Sequence, residues 1–128
     1  MNTKLLMSLS AWFMAGLGVG ASFLPQEIAA HLSARADSRV VLAIQTAGAL
    51  YLGFAILNWT ARAVPIGGIY SRPVALGNFT HFAVVAIVLV KALLGGWRAN
   101  EVIAGAAIYS LFAAGFGLVL FTHPGPSR

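Results

Sequence analysis

The chain has 128 residues, 59% hydrophobic and 9% charged, with a formal net charge of +5. A soluble domain carries about 25% charged residues, and three acidic side chains cannot solvate a globule of 13.4 kDa, so most of the surface is expected to face lipid. The eight Lys and Arg residues form no run and no basic helical face, which excludes a nucleic-acid partner. The absence of cysteine excludes a disulfide, a thiolate metal site and a cysteine nucleophile.

A run of about 20 apolar residues crosses the ~30 Å hydrocarbon core at 1.5 Å per residue. Four segments have that length. They are 5–24, stopped by Pro25; 40–61, containing Gln45 and Asn58; 74–94, in which Lys91 can snorkel to the interface; and 102–121, ended by His-Pro-Gly-Pro. Lipid does not tolerate open backbone, so the spans are predicted helices. The expected fold is all-α, a four-helix transmembrane bundle with short loops, forming one domain over 1–128. The first span also has marks of a signal peptide, with Lys4 before the apolar run and Val19-Gly20-Ala21 as a small-residue cleavage site. It is expected to be retained as a span.

The connections are short. Residues 25–39, PQEIAAHLSARADSR, place Ile28 and Leu32 on one face and Glu27, His31 and Arg35 at i, i+4 steps on another. This is the pattern of a brief amphipathic helix on the membrane surface, or of a polar connector. Asp37 or Ser38 can cap the second span. The stretch RAVPIGGIYSR is a Pro/Gly turn between Arg62 and Arg72. In GGWRAN the glycines suit the end of one helix and Asn100 the start of the next. Four spans put both termini on one side, with Lys4, Arg62, Arg72 and Arg128; Arg35, Arg39, Lys91 and Arg98 fall opposite. That balance is even, and the terminal amine tips the expectation toward cytoplasmic termini, in a bacterial inner membrane. Arg62, Arg72, Trp59 and Trp97 are the expected interface anchors, whereas Trp12 reads as deeper packing.

Helices in lipid associate through small residues that let backbones approach. Ser8, Ala11, Ala15, Gly18 and Ser22 form such a stripe in the first span, with Gly16 and Gly20 beside it. Gln45, Gly48, Tyr51, Ala55, Asn58 and Arg62 form one in the second, and Ala106, Ser110, Ala113 and Gly117 in the fourth. These faces suit either packing within the bundle or association with a membrane-protein partner or a second copy.

Motifs of soluble enzymes do not hold. Gly16-Leu17-Gly18-Val19-Gly20 follows no strand and opens no helix, so it is not a phosphate loop. The N-x-T patterns at Asn58 and Asn78 lie within spans, where no glycan can sit. The spans contain no Asp or Glu, which argues against a proton-coupled pump. What remains is the polar stretch GNFTHF, residues 77–82. Measured from Arg62 and Arg72, Asn58 lies about 6 Å deep, Asn78 about 9 Å and His81 about 13 Å. Tyr51 on the second span and Ser110, with Tyr109, on the fourth reach a similar level. A pocket of His81, Asn78, Asn58, Tyr51 and Ser110 is therefore expected to be geometrically feasible. In it a neutral His81 could bind a polar headgroup, a quinone carbonyl or a metal. The alternative is that these residues hydrogen-bond between helices and fix register. Asn78 is expected within reach of Asn58, with Thr80 turned away and bonded to its own helix. Haem needs two facing histidines, which His31 and His123 do not provide; only a second copy of His81 could. No cofactor and no catalytic residue is assigned.

Gly48-Ala49-Leu50-Tyr51-Leu52-Gly53, Asn58-Trp59, Arg72-Pro73 and Gly77-Asn78 resemble segments of small four-helix bacterial membrane proteins, DoxX-like in layout. The resemblance covers about a quarter of the chain. It implies an accessory role in the membrane, since some DoxX-like proteins are associated with redox or detoxification complexes, and it identifies no catalytic residue. The leading expectation is a non-catalytic subunit or scaffold; the alternative is a binder or carrier of a small lipophilic or polar molecule around His81.

Overall fold

The computed structural model describes residues 2–32, 35, 37–64 and 71–122. Its regular elements are five helices, α1 (Thr3–Phe23), α2 (Pro25–His31), α3 (Ser38–Ala61), α4 (Arg72–Leu94) and α5 (Asn100–Phe121). The four long ones are apolar enough to cross a membrane, and their ends lie within two residues of the predicted spans. The turn residues 65–70 and the segment from His123 to Arg128 lie outside the described residues. Contacts group the chain into two compact units, Met7–Arg62 and Met1–Leu6 with Ala63–Arg128.

In the first unit α1 and α3 meet almost backbone to backbone. A Cβ added at Gly18 would lie 2.7 Å from Leu52 Cγ and 2.9 Å from the Leu52 backbone nitrogen. One added at Gly48 would lie 2.6 Å from Ser22 Oγ and 2.8 Å from the Ser22 backbone nitrogen. The pairs 18–52, 22–48 and 10–58 run in opposite senses, so the helices are antiparallel. The small-residue stripes of both spans are thus used against each other, with Ala11, Gly18, Gly48, Ala55 and Asn58 buried. Gln45 departs from its stripe and is exposed; the antiparallel register sets it level with Pro25, past the end of α1.

Pro25 occupies the first turn of α2, where its missing N–H costs no hydrogen bond. The connector is helical only to His31. Pro25 and Ala29 are buried and Ile28 is half-buried, while Leu32, expected to share the face of Ile28, follows the helix end and is exposed. Asp37 is the cap of α3, its Oδ1 accepting the backbone N–H groups of Arg39 at 2.9 Å and Val40 at 3.0 Å. That satisfies two of the donors a helix start leaves open.

The second unit is built on the α4–α5 hairpin. Gly96 takes φ +97°, and its N–H donates to Leu93 O at 3.1 Å while that of Trp97 donates to Ala92 O at 3.0 Å. This is the Schellman closure that glycine permits. Ala99, rather than Asn100, stands at the cap position of α5, and Asn100 is its first helical residue. The interior is aromatic. Phe82, fully buried, stacks on Phe112 at 4.8 Å and Phe116 at 5.6 Å between centroids. The expected small-residue stripe of the fourth span is only partly the buried one. Val102, Ala106, Tyr109, Phe116 and Val119 are buried, whereas Ser110 is exposed. The reason is that large rings one and two turns apart fill this contact, and Gly117 makes room for the Phe79 ring, 3.1 Å from where its Cβ would be. On the outside of α5, Ile103, Ala107, Leu111, Ala114 and Leu118 form an apolar face suited to lipid.

The glycines provide a test of the first unit. Gly18→Ala and Gly48→Ala put a methyl group against backbone that cannot rotate away, so each should destabilise the protein by about 1–3 kcal/mol. Gly53, with nothing within 4 Å of its Cβ position, should become slightly more stable as Ala, because glycine costs a helix about 1 kcal/mol. Denaturant titration in detergent micelles would rank the three variants.

Candidate functional site

Each unit carries its own polar groups within the spans, positioned by helix phase. In the first unit Asn58 is fully buried, and its Nδ2 donates to Ser10 Oγ at 3.0 Å. Ser10, equally buried, donates in turn to its own helix at Met7 O, 3.0 Å away. The chain amide, hydroxyl, carbonyl ties α3 to α1. Tyr51 is half-buried on α3.

Next to Asn58, α3 presents Trp59 and, one turn beyond Asn58, Arg62. The Trp59 and Trp12 rings meet edge to face, 5.7 Å apart at 74°. Trp12, expected as interior packing, is 68% exposed; the close antiparallel approach of α1 and α3 is what brings it to the level of Trp59. The Arg62 guanidinium carbon stands 3.6 Å from the Trp59 ring centroid, and its Nη1 donates to Trp59 O. Below the tryptophans, Ala11, Ala15 and Ala55 are too small to fill the space between the helices. They leave a groove of about 400 Å³ that Leu52 and Ile56 complete. Arg72 and Trp97, the other expected anchors, are both exposed at helix ends of the second unit.

In that unit Asn78 is buried, and its Nδ2 donates to Val74 O at 3.0 Å within its own helix. Thr80 is exposed, turned away as expected; the back-bond to the preceding turn is made by Thr46 and Thr60 of α3, to Leu42 O and Ile56 O at 2.8 Å. His81 is half-buried at the rim of the aromatic core, its ring 5.1 Å from that of Phe82 and 5.7 Å from that of Tyr109. Its Nε2 is buried. Of the two α5 residues at this level, Tyr109 is turned in and Ser110 out. The spacing of Tyr109, Phe112 and Phe116 at i, i+3 and i+7 was the available sign of an inward aromatic face. For the groove the sequence has no such sign, since nothing local says that Trp12 faces Trp59. Among the described residues no group of three potential metal ligands occurs.

The Ser10–Asn58 bond is expected to fix register more than stability. Hydrogen bonds between membrane helices average ~0.6 kcal/mol in double-mutant cycles, with a maximum of ~1.7, so the coupling lost in a Ser10→Ala, Asn58→Ala cycle should be about that average in detergent unfolding titrations. A loss above 3 kcal/mol would show that the bond carries the α1–α3 contact rather than aligning it.

No protein-family model, curated protein or solved structure matches the chain.

Proposed function

We propose that the protein is a non-catalytic subunit of an assembly in the bacterial inner membrane, with both termini cytoplasmic, docking a transmembrane helix of a partner on the outer face of α3. The observation that carries this reading is the notch at Ala49 and Gly53. Most of the close-packing face of α3 is used against α1, but this second small pair is exposed, with Leu50, Phe54 and Leu57 beside it. It forms a groove of about 270 Å³. Glycine in a helix costs about 1 kcal/mol against alanine, and nothing among the described residues occupies the space Gly53 opens. A partner helix lying in the notch would offset that cost through close backbone approach.

Because the chain has no cysteine, Leu50→Cys places a single thiol beside the notch. Oxidative or bifunctional crosslinking in native membranes should give a discrete adduct, and Gly53→Leu in the same background should remove most of it while leaving the fold intact. A doubled chain mass identifies a second copy as the partner. If Gly53→Leu leaves the adduct unchanged, or only a smear forms, docking at the notch is wrong.

A second reading, binding of a small lipophilic or polar molecule at His81, is supported by the place of the imidazole at the edge of the Tyr109–Phe82 cluster. His81→Phe keeps a flat ring there. If His81 serves a ligand, the variant should keep its stability and lose a co-purifying small molecule in native mass spectrometry. If it serves packing and register alone, stability should fall modestly and the mass spectrum should not change.

A further inference from the structure

We infer that the groove between α1 and α3 is a site for one anionic phospholipid, its acyl chain on the alanine floor and its phosphate on Arg62. Three features of the first unit converge on this.

The first is charge. Arg62 is the C-cap of α3, at the level where the helix leaves the hydrocarbon. Among the described residues its interactions are with Trp59, a bond to the carbonyl and a stack on the ring, and no carboxylate pairs with it. A guanidinium carries five N–H donors in a planar fork that suits phosphate oxygens. One is used, and the tryptophan holds the plane in place. Asp37, the acidic residue at the other end of α3, is about 37 Å away along the helix.

The second is depth. Arg62 to Leu52 spans ten residues, about 15 Å of helix, which is half of the ~30 Å hydrocarbon core. The groove lining runs from Leu52 to Trp59, about 10 Å of helix, and Arg62, stacked on Trp59, lies about one turn beyond it, so that floor and cation together have the length of one leaflet, the profile of a phospholipid standing in place. The third is shape and composition. At about 400 Å³ it falls within the roughly 300–1,000 Å³ of small-molecule sites. Its floor is methyl groups, and it is open outward beside Trp12 and Ile56, both exposed, so a chain can enter sideways from the bilayer. The tryptophan pair sits at the end nearest Arg62, where indoles favour the headgroup boundary.

The test compares retained lipid. Protein reconstituted in nanodiscs of phosphatidylcholine and phosphatidylglycerol at 4:1 is released into the gas phase and its bound lipids are weighed. One phosphatidylglycerol per chain should survive, enriched over its share of the bilayer. Arg62→Gln should lower that enrichment about five- to tenfold, as expected when a near-surface arginine contact to anionic lipid is lost, and Arg62→Lys should restore part of it. Ala15→Leu, which fills the groove and leaves the cation, should abolish the tightly bound lipid altogether. Circular dichroism would confirm that the variants fold. Annular lipid only, with both species lost in proportion to the bilayer and no response to Arg62→Gln or Ala15→Leu, would overturn the assignment. So would equal retention of phosphatidylcholine, which would leave Arg62 without a role.

Discussion

The close approach of α1 and α3 at Gly18 and Gly48 is the constraint from which the first unit follows. Lipid offers apolar side chains no hydrophobic reason to leave it, so two helices hold together only where their atoms touch more closely than lipid tails would. Two glycines, each facing the backbone of the other helix, allow that contact at one register. Once it is set, Ser10 must face Asn58 and Trp12 must face Trp59. The alanines one to two turns from Gly18 and Gly48 then face each other across a gap they cannot fill, and the groove is the result. Structural bond and candidate binding surface have a common origin in the choice of small residues.

The α4–α5 hairpin solves the same problem with the opposite material. Here the contact is made by Phe82, Phe112, Phe116 and Tyr109, whose rings supply large areas of dispersion contact and favourable ring geometry. Glycine has a different use in this unit. Gly117 receives a ring rather than a backbone, and Gly96 turns the chain. His81 belongs to this aromatic surface as much as to the polar set suggested by its neighbours in sequence. Its flat ring packs against Phe82 and Tyr109 whatever its nitrogens do.

The few polar side chains are distributed by depth. Buried amides are tied to serine and backbone oxygens, where an unmet donor in hydrocarbon would cost several kcal/mol. Threonines at the lipid face bond their own helix. Arg62, by contrast, is held by a ring and one carbonyl and keeps donors directed to whatever lies at the interface. The proposed recognition sites follow this division, one at the headgroup boundary, where charge stays hydrated, and one in a notch of the apolar surface, where shape discriminates.

Composition and pattern determined the class of the protein and the limits of its helices. Apolar length, Pro25, Asp37 and the glycine pair at 95–96 are local features, and the physics they report, hydrogen-bond satisfaction in lipid and at helix ends, acts within a few residues. The stripes of α1 and α3 were legible for the same reason, since 3.6-residue periodicity is a property of one helix. The tertiary structure alone decided what each face meets. Sequence could not tell that Ser110 turns out while Tyr109 turns in, that Gln45 is exposed, or that Trp12 is a surface residue beside Trp59. Each of these depends on the register between two helices separated by a loop, and that register is set by a handful of contacts at glycine and aromatic positions, not by the hydrophobicity that makes every face of such a helix look alike.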